Sequence, residues 1–151
     1  MADIFVMKLD QIQPSQLFVK AEKLSDVLSD YDRLKPELLE PLPVKKLGEE
    51  IVLTDCHTIA LAAHLRGISE VRVYWDDEES DWEAYQICVD WCKKEGVHSI
   101  ADLKKRVVPA KEFEVLWRER CKKMVQDLEA KRNDVTISVI DPEDQELPEL
   151  E

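Results

Sequence analysis

Five polar residues in a row, Thr54-Asp55-Cys56-His57-Thr58, interrupt an apolar stretch of the chain. Before them the run Ile51-Val52-Leu53 reads as a strand; after them TIALAAHLR reads as a helix that is apolar almost all round. A polar junction between a buried strand and a buried helix has a chemical use. The unpaired N–H groups of a helix's first turn, with the helix dipole behind them, form an anion site of phosphate size. His57 and Thr58 can add side-chain donors. Asp55 can cap the helix or hold Mg²⁺ against a phosphate. A cysteine at this point, Cys56, would have its thiolate favoured by the helix N-terminus, as a nucleophile requires. The same residues also suit a plain junction, with Asp55 as N-cap, Cys56 as a small core residue and His57 on the surface.

Other residues invite chemistry less strongly. Cys88 and Cys92 stand at i and i+4 and could bind a metal with help from His98 or Cys121. No zinc-like spacing accompanies them, so two small hydrophobes in a core stripe is the simpler reading. A disulfide between them inside one helix is geometrically awkward. Trp82, Trp91 and Trp117 read as core or groove anchors before they read as a base-stacking platform. His64, inside the apolar helix, reads as a partly buried core histidine.

The elements that must position the junction follow from periodicity and punctuation. Residues 3–9 predict a strand. Residues 12–19 predict a loop and a short extended piece, and 21–31 an amphipathic helix through Leu24, Val27, Leu28 and Tyr31. Pro36, Pro41 and Pro43 stiffen a connector. Residues 42–54 predict a β-hairpin around Gly48, and Gly67 closes the apolar helix. EVRVYW at 70–75 is a further strand. The C-terminal half predicts a helix capped by Asp81 and ended by Gly96, a short helix capped by Ser99, and a third helix begun at Pro109. VTISVID at 135–141 predicts a strand, and DPEDQELPELE an acidic mobile tail.

Composition bounds the rest. The chain has 151 residues, 44% apolar and 36% charged, which is enough for one cored domain and excludes wholesale disorder. No apolar run reaches the roughly 18 residues of a membrane span. The start, MADIFVMKLDQ, does not look like a secretory signal. Net charge is −12, and residues 134–151 hold seven acids and no base. The acidic cluster at 76–83 reads as a solvated loop. No basic stripe is present, so DNA is not an expected partner. Four cysteines without a CxxC pair predict reduced thiols and a cytoplasmic protein.

Residues 43–75, PVKKLGEEIVLTDCHTIALAAHLRGISEVRVYW, resemble the core of the ParB/sulfiredoxin superfamily. That core has a strand pair, a turn of the D-G-H-[RT]-R type, a helix of the A-A-x-x-x-G kind and a V-P-V strand. The pieces here read LPVKK, EIVLTD-CH-T, ALAAHLRG and VRVYW. Upstream, IQPSQLFV and the helix from Ala21 resemble the first box of these domains, so the likeness covers about residues 10–75. The segments from WEAYQICVDWCKKEG to VLWRERCKKM look like those of uncharacterised ParB-like proteins. Sulfiredoxins use ATP and Mg²⁺ to reduce a sulfinic acid, some relatives phosphorylate free serine, and ParB proteins bind CTP. The resemblance implies a nucleotide with Mg²⁺ at Asp55, His57 and Thr58, with Asp55 toward the metal. From the serine kinases it implies a glutamate base, for which Glu22 is the candidate. Two departures stand out. Cys56 replaces the usual glycine, and the arginine that usually follows the histidine is missing. Sulfiredoxins read G-C-H-R at the turn, with the cysteine as nucleophile.

The expected fold is α+β: a small mixed sheet with helices, forming a ParB/sulfiredoxin-like core over 1–80. A helical extension over 81–133 packs on it, and 134–151 form a strand or acidic tail. The leading functional expectation is a nucleotide-binding protein, acting as an ATP- or ADP-dependent phosphotransferase on a small-molecule acceptor. The alternatives are a non-catalytic module that docks a protein partner, and a thiol-dependent redox enzyme working through Cys56.

Overall fold

The structure is a computed structural model that describes residues 3–33 and 40–140. It is an α+β fold whose main sheet has four strands, β1 (Ile4–Lys8), β3 (Leu42–Leu47), β4 (Glu50–Leu53) and β5 (Glu70–Trp75), in the order β1-β5-β3-β4. β1 runs antiparallel to β5, β5 parallel to β3, and β3 antiparallel to β4, so the sheet is mixed. The hairpin β3–β4 turns at Gly48, whose φ of +63° is open to glycine at little cost. A second ladder of two residues each joins β2 (Val19–Lys20) to β6 (Val107–Val108) in parallel.

The helices follow the punctuation. α1 covers Ala21–Arg33 and α2 covers His57–Leu65. α2 buries Ala60, Leu61, Ala62 and Ala63 to 1% exposure or less, as an all-round apolar helix must. α3 (Trp82–Lys94) starts where the Asp81 carboxylate accepts from the Ala84 amide. Residues Ile100–Arg106 form a 3-10 helix closed by a capping box between Ser99 and Asp102. α4 (Ala110–Phe113) then passes through a π-turn at Glu114–Arg118 into α5 (Glu119–Ile140).

The strand expected at 135–141 is not formed: α5 continues through Ile140. Adding a turn to an existing helix is cheap compared with nucleating new structure, and no glycine or proline intervenes before Pro142. The β-branched residues there are thus overridden by the helix that precedes them. The acidic tail from Asp141 onward, and Pro36 of the connector, lie outside the described residues.

One buried cluster serves both halves of the chain. Leu17, Val44, Leu61 and Val73 share it with Cys92, Ile100, Leu103 and Trp117. Polar ties cross the same boundary. The Gln13 side-chain amide donates to the Val97 carbonyl at 2.9 Å, and the Glu22 carboxylate accepts from the Ala110 amide at 3.0 Å.

Candidate functional site

β4 delivers the chain to the junction and α2 leaves it. The turn is tight because Cys56 adopts a left-handed conformation, φ 68° and ψ 33°. Among the described residues it is the one non-glycine with positive φ. A side chain in that region costs about 1–2 kcal/mol through the clash of Cβ with the backbone. Glycine would meet this backbone demand without the clash. Cys56→Gly is therefore expected to raise stability modestly, by up to about 1 kcal/mol, measured as a higher denaturant midpoint. A lower midpoint would show that packing of the half-buried thiol outweighs the strain.

α2 has no side-chain cap. Its first internal bond runs from the Ala60 amide to the Cys56 carbonyl at 3.0 Å, so the amides of His57, Thr58 and Ile59 have no acceptor within the helix. Asp55 is not the cap that the plain reading made it. Its carboxylate accepts from the adjacent Cys56 amide at 2.7 Å, and the N-cap position falls on Cys56. A left-handed residue followed by helix is the backbone sequence from which anion nests are built.

His57 is not on the surface. It is 3% exposed, and its Nε2 accepts the Ser15 amide at 3.0 Å. Accepting at Nε2 fixes the neutral tautomer with the proton on Nδ1. That Nδ1 is buried and has no hydrogen-bond partner. Burial lowers the His57 pKa from 6.5 to about 4, against a smaller opposing pull from Asp55, so the ring is neutral at pH 7. The turn thus begins with a buried N–H donor that lacks an acceptor, a situation costing about 1–3 kcal/mol when left unmet.

The partners that hold the turn are largely ones the sequence did not single out. Ser15 also donates its hydroxyl to the Leu53 carbonyl at 2.7 Å, so the loop after β1 clamps both ends of the junction. The Thr54 hydroxyl donates to Asp76 at 2.7 Å, and the Tyr85 hydroxyl donates to the Thr54 carbonyl at 3.0 Å. Thr58 is buried at the start of α2. These pairings join residues tens of positions apart, and no local spacing could announce them.

The electrostatics are acidic. The Tyr85 hydroxyl is held above its ordinary range first by burial and then by Asp55, Asp76 and Glu78, and the Tyr74 hydroxyl first by burial, then by Cys56 and the same carboxylates. The Cys56 thiol is also pushed up, by burial first and next by Asp55, with Lys23 of α1 opposing them. That is the reverse of the depressed pKa a thiolate nucleophile needs. Lys23 of α1 is a cation close enough to act on the turn. Other basic side chains lie on the sheet and at the end of α2. The Lys45 ammonium sits over the Trp82 ring at 4.8 Å. Arg66 is the C-cap of α2, roughly 13 Å along the helix from the turn at 1.5 Å per residue. Arg72 lies mid-strand opposite Val6. Lys46 is exposed on β3.

Glu22 is exposed and its carboxylate is taken by the Ala110 amide, where it caps the start of α4. Cys88 and Cys92 are buried, and burial pushes the Cys92 thiol up to about 12. Among the described residues, no group of three or more His, Cys, Asp or Glu side chains is arranged to hold a metal. Trp91 and Trp117 meet edge to face at 6.0 Å, and Trp82 packs on Tyr85 at 5.0 Å, as anchors within the fold. His64 lies in the last turn of α2, away from the junction. No helix of the described residues is long and apolar enough to cross a membrane.

No family model matches the chain, and no curated protein matches it. Among solved structures, it is similar to the protein Atu1540 from Agrobacterium tumefaciens, with 14% identity and a TM-score of 0.45. The alignment covers 65% of this chain and 50% of that one, so the chain spans about half the length of that structure.

Proposed function

We propose that the turn from Thr54 to Thr58 binds the phosphates of a magnesium nucleotide, as the resemblance to the ParB/sulfiredoxin superfamily implies. The observation that carries this reading is the buried Nδ1–H of His57, without an acceptor, at the head of an uncapped helix. A phosphate oxygen would supply the acceptor that the amides of His57, Thr58 and Ile59 lack, and it would meet the buried His57 donor only when the turn opens to uncover the ring.

The surrounding charge specifies the form of the ligand. Asp55, Asp76 and Glu78 would repel a bare polyphosphate. Mg²⁺ resolves the conflict. It takes oxygen ligands, keeps several waters, and is commonly held by one or two carboxylates plus the phosphates themselves. Asp55 is the candidate carboxylate, since only one of its oxygens is engaged by the Cys56 amide. The metal would arrive with the nucleotide.

Binding is better supported than transfer. A phosphotransferase needs a base at the acceptor hydroxyl, and Glu22 would have to release the Ala110 amide to serve. Without the arginine, the bidentate clamp on the transferred group is also missing. Small-molecule phosphotransfer is therefore the second step to assay, by phosphate release against hydroxyl-bearing metabolites. The raised Cys56 thiol weighs against the redox alternative.

The test is thermal unfolding with ATP, ADP and CTP, each with Mg²⁺ and again with chelator. Linkage predicts a higher Tm with at least one magnesium nucleotide, about 2.7 kcal/mol of stabilisation at a hundredfold excess over Kd. The rise should vanish when Mg²⁺ is removed. No shift with any of the three would favour the non-catalytic protein-docking module.

A further inference from the structure

α3 and α5 touch, and an open groove of about 330 Å³ lies between them. Its apolar floor comes from Ile87 and Trp91 of α3 and from Met124 and Leu128 of α5. Met124 and Leu128 stand at i and i+4 on one face of α5 and belong to the buried cluster, against which Ile87 and Trp91 pack. Charges edge the same groove. Arg120, Lys123 and Lys131 line it against one acid, Asp127.

That edge runs against the chain as a whole, whose net charge is −12. Asp127 does little to cancel it. Its ion pair with Lys123, at 3.6 Å, joins two side chains that are 68% and 78% exposed, where such a pair contributes little. Arg120 lies over the Trp91 ring at 4.2 Å and pairs with Glu95 at 2.9 Å, which holds its guanidinium at the groove wall. An apolar floor with a cationic edge fits an acidic segment that carries spaced apolar side chains.

The chain itself supplies one. Residues 141–151, DPEDQELPELE, hold six acids and no base, with Leu147 and Leu150 among them. α5 runs to Ile140, about 18 Å along the helix from Leu128 and about 24 Å from Met124 at 1.5 Å per residue. Leu147 and Leu150 lie up to about 23 and 33 Å of extended chain beyond Ile140. The segment is long enough to return along α5 to the groove. Such a tether gives it an effective concentration of roughly millimolar order, an advantage over any separate acidic peptide.

We propose that residues 141–151 fold back onto the α3–α5 groove of the same molecule. Leu147 and Leu150 take the apolar floor. Glu143, Asp144 and Glu146 pass Lys131, and Glu149 and Glu151 fall toward Lys123 and Arg120.

The test labels the methionine methyl groups of the full chain with ¹³C, because Met124 lines the groove and Met7 lies on β1. Leu147→Ser combined with Leu150→Ser removes the apolar anchors, keeps every charge and alters no residue of the groove. The double variant should shift the Met124 methyl resonance and leave that of Met7 in place. Sodium chloride at about 1 M, where the Debye length is about 3 Å, should move the wild-type Met124 signal in the same direction. Dilution should move neither signal. A Met124 resonance that is the same in wild type and double variant, or that salt does not move, would overturn the proposal. So would one that changes with protein concentration, since that would seat the segment on a second copy.

Discussion

Acidification from pH 7 to pH 4 is expected to remove about 3 kcal/mol of stability through His57 alone. The folded protein holds this imidazole neutral, with its pKa lowered from 6.5 to about 4 by burial. The unfolded chain binds a proton below about 6.5, while the folded chain resists it until about 4. Between those values the unfolded state carries more protons, so stability rises with pH across the window and falls as pH drops through it. The contribution is complete above about 6.5, declines steadily below that, and levels off under about 4. His57→Gln keeps an acceptor for the Ser15 amide and has no titration in this range. Urea denaturation of both proteins at pH 7 and pH 4.5 isolates the term, because the other ionisable groups are common to both. The wild type should lose more than the variant by 2–3 kcal/mol, on the order of the linkage term. Equal losses would mean that the ring is not sealed from water. A phosphate oxygen accepting from Nδ1–H would favour the imidazolium, so saturating magnesium nucleotide should shallow the wild-type slope.

Leu103→Ala should cost about 3 kcal/mol, within the 2–5 kcal/mol typical of deleting a fully buried leucine. Leu103 is 0% exposed on the 3-10 helix that packs against α2, and it belongs to the cluster that both halves of the chain share. Its loss should lower the denaturant midpoint of the whole molecule while leaving one cooperative transition. Two transitions, or a cost below about 1 kcal/mol, would show that the segments before and after residue 80 have separate cores. The same truncation is expected to weaken nucleotide binding only through stability, since Leu103 makes no polar contact at the turn.

Much of the fold could be read from local pattern. Gly48, Gly67 and Gly96 all carry positive φ, and each stands where a turn or helix end was expected. Asp81 and Ser99 act as the caps their residue types suggest. The run from Ala60 to Ala63 is as buried as an all-round apolar helix requires. The strand reading at 135–141 failed because side-chain propensity is a weaker force than continuation of a formed helix.

The candidate site was legible as a location and not as a set of partners. Residue types placed a polar turn between a strand and a helix. They could not show that His57 is sealed by Ser15 from 42 positions upstream. Nor could they show that Glu22 reaches Ala110, 88 positions away, in place of a substrate. Cys56 looked like a thiol at a helix start, where a dipole lowers the pKa. Burial and the Asp55 charge act in the opposite direction.

The most direct test of phosphate binding at α2 is the ¹H–¹⁵N spectrum of the folded protein as magnesium nucleotide is added. The His57 Nδ1–H resonance and the amides of His57, Thr58 and Ile59 should shift together and saturate with one affinity, and they should return when Mg²⁺ is chelated. If those four signals stay fixed while millimolar nucleotide is present, the turn does not hold phosphate.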